Sequence, residues 1–319
     1  MKHICAGILA IAAEVCCAQQ FPAKPVHLIV PYAAGGGPDV QARQFAPRFA
    51  EALGATVIVE NKVGAAGVLA AQYVAQQRPD GYTLLLGSNT HLIQKHLQPD
   101  LKFDPVADFA PVSNMGSSPT VLVVRADYPA RTVQDLAAAL KARSGQMNYS
   151  SGGIGTSAHL AGATFVAVAG AKAVHIPLKG SVEIAGSLLR GETDFAFPVT
   201  STGVPQVKSG KLRALAVTSA ARLPELPEVP TLVEAMMNDL LVQESWFGVW
   251  APTRTPPDVI RAIFAAMVKA LADPELQKQF QATGGSVAAS QSPDAFAAFV
   301  KREYAKWGEI VKLSAAKAD

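Results

Sequence analysis

The sequence has no cysteine after residue 17. Its 319 residues include three cysteines, Cys5, Cys16 and Cys17, and all of them lie within the first 17 residues. The remainder therefore has no disulfide, no thiolate metal ligand and no cysteine nucleophile. A chain of about 300 residues is long enough to be stabilised by burial of its hydrophobic core alone.

Charge and long apolar runs are also scarce. Only 17% of the residues are charged, the net charge is +3, and no block of like charges occurs, so a nucleic-acid-binding surface is not indicated. No stretch beyond the first twenty residues approaches the ~18 consecutive apolar residues of a membrane-spanning helix. Half of the residues are hydrophobic, which excludes a disordered chain and predicts a globular protein that is not embedded in a membrane.

The first twenty residues, MKHICAGILAIAAEVCCAQQ, have the layout of a secretory signal peptide. Lys2 provides the basic start, a short apolar stretch begins at Ile4, and small residues stand at Cys16 and Ala18. This pattern predicts a signal peptide over residues 1–18, cleaved after Ala18, and hence an exported protein.

Short apolar runs alternate with helical patterns along most of the chain. VHLIVPY, ATVIVEN and TLLLG are typical of strands, and a helix is predicted between the first two, over residues 40–53. A second series contains MNYSSGG and AVHIP, with a helix over residues 156–169 between them. Such alternation predicts βαβ units, and thus an α/β fold with two lobes, each a mainly parallel sheet flanked by helices.

Two apolar segments, residues 120–124 and 246–250, are predicted to connect the lobes. With two such crossings, lobe 1 contains residues 19–122 and 246–319, and lobe 2 contains the inserted residues 123–245. This arrangement leaves a cleft between the lobes, where a ligand is expected to bind.

Three loops with glycines or hydroxyl groups follow predicted strands. They are PYAAGGGPD (residues 31–39), GSNTH (87–91) and YSSGGIGTSAH (149–159). In α/β sheets, ligands bind at the carboxyl ends of the strands. Backbone N–H groups at the following helices favour an anion of one or two charges, and nearby hydroxyls can donate to a carboxylate. Alternatively, the glycines only make tight turns and the hydroxyls only cap helices.

Nucleotide binding is not supported by these loops. The first loop ends in Pro38 and Asp39, where a phosphate-binding loop has Gly-Lys-Ser/Thr. Gly153, Gly155 and Ala158 satisfy the dinucleotide pattern G-x-G-x-x-A, but the next strand, AVHIP, is not followed by the acidic residue that binds the ribose. We therefore predict no cofactor.

His159 is the most suggestive titratable residue, since it lies in the first turn of a helix beside a glycine loop. It could contact a ligand, or act as the base of a hydrolase that uses Ser151 or Ser157. Alternatively, it is a neutral donor or packs its helix, because a positive helix start disfavours the charged ring. The G-x-S-x-G pattern of a nucleophile elbow is absent at Ser157. His91 and His96 are a poor metal pair with no third ligand, so we predict that they face solvent and that no metal is bound.

Two further groups have alternative roles. Lys179 could balance a ligand's charge across the cleft or cap its strand-to-helix turn. Trp246, Phe247 and Trp250 are predicted to pack within the connecting strand rather than to line the cleft.

Several segments together carry a family resemblance. FPAKPVHLIVPYAAGGGPDVQAR, VIVENKVGAAG, PDGYTLLLGS, NYSSGGIGTSAHLAG, VHIPLKG and SWFGVWAP occur in this order through most of the chain. In these segments the chain resembles the substrate-binding receptors of tripartite tricarboxylate transporters, also called Bug receptors. The resemblance implies a two-lobed, hinge-closing periplasmic binding protein of type II-like fold. It implies a monomeric, non-enzymatic protein that captures a small carboxylate and delivers it to a membrane permease or presents its closed form to a sensor.

By position, the resemblance also implies the ligand contacts. In lobe 1 these are Tyr32, Ala34, Gly35, Gly36, Pro38, Asp39, Ser88 and Asn89. In lobe 2 they are Ser150, Ser151, Gly152, Thr156, Ser157, His159, Lys179, Gly180, Pro198 and Thr200. Three positions depart from the family's usual residues, because Pro38, Leu178 and Pro198 replace more polar ones. These departures make the cleft less polar and favour an aromatic or longer-chain carboxylate.

Overall fold

Two β-sheets, each covered by helices, organise the chain. The computed structural model describes residues 21–282 and 285–314, without the side chain of residue 313. The predicted signal peptide lies outside the described residues. None of the helices in the described part of the chain is both long and apolar enough to cross a membrane.

The strands and helices alternate along most of the chain, as the apolar pattern predicts. The strands are β1 (Val26–Val30), β2 (Val57–Asn61), β3 (Thr83–Ser88), β4 (Phe109–Pro119), β5 (Val121–Arg125), β6 (Asn148–Ser151), β7 (Val174–Pro177), β8 (Phe195–Ala196), β9 (Leu212–Val217), β10 (Glu244–Pro252) and β11 (Ser286–Val287). The helices are α1 (Gly37–Leu53), α2 (Val68–Ala75), α3 (Asn89–Leu97), α4 (Val133–Ala142), α5 (Ser157–Val168), α6 (Val182–Leu189), α7 (Thr200–Lys208), α8 (Leu232–Met236), α9 (Pro257–Leu271), α10 (Pro274–Gln281) and α11 (Pro293–Ser314). Two short 3₁₀ turns cover Ala65–Gly67 and Asp239–Leu241.

Each sheet combines parallel and antiparallel strands. The first sheet has the order β11-β4-β10-β3-β1-β2, and the second has the order β7-β6-β8-β5-β9. Strand β1 runs parallel to β2 and β3, and β6 runs parallel to β7 and β8, whereas β10 and β5 run antiparallel to both of their neighbours. We call the first sheet with α1–α3 and α9–α11 lobe 1, and the second sheet with α4–α8 lobe 2.

The two-lobed α/β fold is thus confirmed, but the sheets are mixed rather than mainly parallel. The antiparallel pairs involve β4, β5 and β10, the strands next to the passages between the lobes. A strand that arrives from another lobe does not follow a βαβ crossover, so nothing requires it to run parallel to its neighbours.

Helix α1 shows how local sequence sets the element boundaries. It begins at Gly37, earlier than predicted, because Pro38 is compatible with the first turn of a helix, where its missing N–H costs nothing. It ends at Gly54, whose φ of 74° is left-handed. Phe45 and Phe49 stack with ring centroids 5.0 Å apart and are buried in the core of lobe 1.

The two passages between the lobes are joined to each other by hydrogen bonds. The Thr120 amide donates to Thr218 Oγ1 (2.9 Å), and the Thr218 amide donates to the Thr120 carbonyl (3.0 Å). The Gln243 amide, just before β10, donates to the Thr218 carbonyl (3.0 Å). Thr218 therefore fixes both passages at one place, while the predicted boundaries at residues 122/123 and 245/246 stay a prediction.

A second contact between the lobes is hydrophobic. Leu160 of α5 is fully buried against Ile93 of α3 and Trp307 and Ile310 of α11. This cluster places a lobe 2 side chain among three side chains of lobe 1, so burial of apolar surface holds the lobes together here.

We predict that Leu160→Ala destabilises the protein by about 2–5 kcal/mol, because it removes a buried side chain and leaves a cavity. Urea unfolding of the two proteins measures this difference. Leu189→Ala is the matched control: Leu189 is also on a lobe 2 helix but is 42% exposed, so its replacement should change the free energy of unfolding by about 0.5 kcal/mol or less. Equal effects of the two substitutions would contradict the role given to the cluster.

Candidate functional site

A cavity of about 350 Å³ lies between the lobes, near the lower end of the roughly 300–1,000 Å³ that is usual for small-molecule sites. Lobe 1 contributes Pro31, Tyr32, Ala33, Gly36, Pro38, residues 63–67, Thr90, Ser245 and Phe247. Lobe 2 contributes Gly152, Gly153, residues 156–158, residues 178–182, Ile184 and Val199. Both lobes are needed to enclose this space.

Four helices begin at the cavity wall. Gly36, Thr156, Ser181 and Val199 are the residues that precede α1, α5, α6 and α7, and all four line the cavity. The start of a helix carries about half a positive charge from its unpaired N–H groups. At three of these starts, those of Gly36, Ser181 and Val199, no side chain caps the helix.

Formal charge is almost absent from the cavity wall. Lys179 is the single charged side chain among the described residues that line it. The local field therefore comes mainly from helix dipoles, which suits a small anion of low charge better than a polyphosphate.

Glycines, which have no side chain, allow the lobes to approach each other closely. A Cβ atom at Gly37 would overlap Ser201 Oγ of lobe 2, and one at Gly36 would lie 3.6 Å from Ser181 Oγ. Within lobe 2, a Cβ atom at Gly152 would lie 2.9 Å from the Ser181 amide nitrogen. The glycines are thus required by close contacts between backbone segments, in addition to any contact with a ligand.

Asp39 folds the first loop from the side away from the cavity. Its buried carboxylate accepts hydrogen bonds from the Gly35 amide (2.9 Å), Arg43 Nε (3.1 Å) and Asn61 Nδ2 (2.7 Å). Burial opposes ionisation of this group, but the hydrogen bonds from Arg43, Asn61 and Gly35 outweigh burial and hold the pKa of Asp39 below its usual value. The negative charge at the start of α1 is therefore neutralised within lobe 1.

Asn89 joins the lobes beneath the cavity. Its Nδ2 donates to Ser157 Oγ (3.1 Å), and Ser157 Oγ lies 3.2 Å from Asn89 Oδ1. Ser245 of β10 also donates to Asn89 Oδ1, at 3.5 Å. Beside it, Tyr32 Oη and Ser88 Oγ are 2.5 Å apart, and burial raises the pKa of Tyr32. The side chains at this end of the cavity thus bond to one another.

These observations agree with the known family that the chain matches. The family model described as "Tripartite tricarboxylate transporter family receptor" matches residues 41–315. The chain belongs to this receptor family. The family match also confirms the prediction of a solute-binding protein rather than an enzyme.

Solved structures show the same fold along almost the whole receptor. The periplasmic binding protein BugD is 32% identical, with a TM-score of 0.87 over 94% of this chain and 100% of BugD. A Rhodopseudomonas palustris protein solved with adipate is 29% identical, with a TM-score of 0.88 over 93% of this chain and 99% of that one. MatC from R. palustris, solved with malate, is 27% identical, with a TM-score of 0.84 over 91% of this chain and 100% of MatC.

The predicted contact residues of the receptor fall into two groups. Those that line the cavity are Tyr32, Gly36, Pro38, Gly152, Thr156, Ser157, Lys179 and Gly180. Those that do not line it are Ala34, Gly35, Asp39, Ser88, Asn89, Ser150, Ser151, His159, Pro198 and Thr200. Several of the second group support the wall from behind: Ser150 bonds Thr193, and Thr200 bonds Ser118 of lobe 1 at 2.6 Å. The role of each residue toward a ligand stays a prediction.

His159 and Ser151 belong to a buried cluster behind the second lobe's loop. The His159 ring stacks on His175 with centroids 3.9 Å apart, and its Nδ1 accepts a hydrogen bond from the Gly155 amide (3.0 Å). Ser151 Oγ bonds His175 Nε2 (2.7 Å) and is buried, while Ser157 bonds Asn89. Burial, together with repulsion from His159, lowers the pKa of His175 to about 3. The hydroxyls proposed for hydrolysis therefore serve structural hydrogen bonds.

Sequence reasoning did not identify the turn at residues 63–67 as part of the site. Gly64, Ala65, Ala66 and Gly67 all have positive φ, between 46° and 144°, and line the cavity from lobe 1. The signal was available, because this turn also follows a predicted strand, ATVIVEN. Phe247 was predicted only to pack, and it does so at 1% exposure, but it also lines the cavity.

The prediction that His91 and His96 face solvent is wrong. His91 is 4% exposed and stands edge-on to Trp250, and His96 is half-buried and stacks on Tyr304. His91 is buried because the segment GSNTH is not a loop: β3 ends at Ser88 and α3 begins at Asn89. In the described part of the chain, no group of three His, Cys, Asp or Glu side chains could hold a metal ion.

Burial lowers the pKa of His91 to about 4, well below its ordinary 6.5. The Ser88 amide donates a hydrogen bond to His91 Nδ1 (3.2 Å). As the pH falls, His91 is therefore protonated at a higher pH in the unfolded chain than in the folded protein. The stability that neutral His91 contributes is complete above pH 6.5 and is lost as the pH falls toward 4.

We predict that His91→Phe reduces the loss of stability between pH 6.5 and pH 4 by up to about 3 kcal/mol. Urea unfolding at several pH values in this interval measures the slope for both proteins. His96→Phe serves as the control, because His96 is less buried and should contribute less to the slope. A wild-type slope in the His91→Phe protein would show that His91 does not titrate as described.

Proposed function

We propose that this receptor captures a small carboxylate in the cavity between its lobes. The observation that supports the proposal is the convergence of four helix starts on a cavity whose described wall has one charged side chain. Two relatives in the same family were solved with carboxylates, one with adipate and one with malate. Backbone N–H groups, rather than cations, would hold the acid group.

Closure of the lobes would accompany binding. Two of the helix starts near the cavity, those of α1 and α6, belong to different lobes, with Gly36 close to Ser181. A carboxylate that touches both lobes is bound better by the closed form, and so it shifts the population toward closure. The lobes would rotate about the passages that meet at Thr218 when they close.

The location and the partner belong to the same proposal. We place the receptor in the periplasm, since residues 1–18 have a signal-peptide pattern and the structural relative BugD is a periplasmic binding protein. There it would deliver its cargo to the permease of a tripartite tricarboxylate-type transporter. It would act as a monomer, because one chain supplies both walls of the cavity.

Thermal unfolding against a panel of carboxylates tests the proposal. We predict that one class of acid stabilises the chain by about 2.7 kcal/mol at one hundred times its Kd, a rise in Tm on the order of a few degrees. Gly36→Val should abolish this shift, because a side chain at Gly36 would point at Ala33 and Ser181 across the cavity.

Gly186→Val is the matched control for Gly36→Val. A Cβ atom at Gly186 would meet only the flexible end of Arg190, away from the cavity. This variant should retain the full shift in Tm. Stabilisation of Gly36→Val by the same acid as the wild type would contradict the proposed site.

A further inference from the structure

We propose that the cargo is a carboxylate with an unsubstituted hydrocarbon body, as opposed to a hydroxy, keto or amino acid. This inference rests on the proposed function and narrows it. The two relatives solved with ligands represent the two alternatives, since malate carries a hydroxyl and adipate does not. The sequence identities of these two proteins to this chain, 27% and 29%, are too similar to favour one ligand over the other. The residues that line the cavity therefore decide between them.

Part of the cavity wall is hydrophobic, and it includes the first turn of α6. Val63 and Phe247 of lobe 1 line the cavity together with Leu178, Val182 and Ile184 of lobe 2. Closure would bury a ligand's body against these side chains from both sides. Burial of a methylene group is worth about a fourfold gain in affinity, so the wall favours hydrocarbon.

Several polar side chains that line the cavity are hydrogen-bonded within the protein. Thr156 Oγ1 donates to the Gly153 carbonyl (2.8 Å), and Ser157 and Ser245 donate to Asn89 Oδ1 (3.2 and 3.5 Å). Tyr32 and Ser88 share a hydrogen bond of 2.5 Å. These bonds shape the loops and join the lobes, so a ligand's substituent that used these groups would compete with bonds inside the protein.

Ser181 differs from these hydrogen-bonded residues, and we assign it to the part of the cavity that would bind the ligand's carboxylate. Its hydroxyl makes no capping bond to α6 and faces Gly36 at the start of α1. A carboxylate placed there would meet the positive ends of two helices. The same field would repel the ammonium group of an amino acid, as would Lys179.

A hydroxyl or ammonium substituent that lies against the hydrophobic side chains of the wall would lose water and gain no partner there. Such an unpaired buried polar group weakens binding by about tenfold or more. We expect this cost for the hydroxyl of malate and the ammonium group of glutamate, which succinate and glutarate lack.

Isothermal titration of the mature chain with matched pairs of acids tests the inference. The pairs are succinate and malate, glutarate and glutamate, hexanoate and 6-aminohexanoate, and benzoate and 4-hydroxybenzoate. In every pair that binds, we expect the unsubstituted acid to bind at least tenfold more tightly. Malate or glutamate binding as tightly as its unsubstituted partner would overturn the inference and leave the proposed function intact. If none of the eight acids bound, the proposed function itself would be contradicted.

Two isosteric variants test whether the hydrophobic wall causes the preference for unsubstituted acids. Val182→Thr and Val63→Thr replace a methyl by a hydroxyl at cavity residues that are 46% and 47% exposed. We expect each to reduce the preference for the unsubstituted acid by about threefold or more. Val174→Thr is the control, because Val174 is 50% exposed and does not line the cavity. An unchanged preference in both cavity variants would overturn the role given to the wall.

Discussion

The polar contact between the lobes of this receptor centres on one buried, uncharged side chain, that of Asn89. Its amide joins α3 of lobe 1 to Ser157 of α5 in lobe 2 and accepts a bond from Ser245 of the returning strand β10. A buried amide without partners would be costly, so these bonds favour this register of the lobes. When the lobes separate, water can replace the bonds, and a neutral contact therefore allows reversible opening.

Four helix starts meet at the cavity between the lobes, and at Gly37 the close approach leaves no room for a side chain. Gly36 and Gly37 meet Ser181 and Ser201 of lobe 2 at distances that exclude a further substituent at Gly37. The charge of Asp39, which would oppose an anion, is neutralised by Arg43 and Asn61. The cavity thus combines a positive dipole field with an almost uncharged wall, and the binding chemistry follows from both.

Much of the architecture follows from local sequence, but tertiary features of the site do not. Helix α5 (Ser157–Val168) closely matches the predicted helix over residues 156–169, since the glycine loop and the capping Thr156 mark its start. Helix α3 was missed because Asn, Thr and His are weak helix formers and the buried position of His91 stabilises them. The left-handed backbone at Ala65 and Ala66 is imposed by packing, which alanine does not reveal in a sequence.

The helix dipoles at the cavity have a consequence for the conditions in which the receptor works. Mobile ions screen solvent-exposed charges over roughly 10 Å at 0.1 M salt, but partial charges inside an enclosed space are screened much less. A receptor that attracted its cargo with surface lysines would lose affinity whenever the surrounding salt rose. In the proposed site the attraction would come from backbone groups enclosed between two lobes, so the affinity would change little with ionic strength.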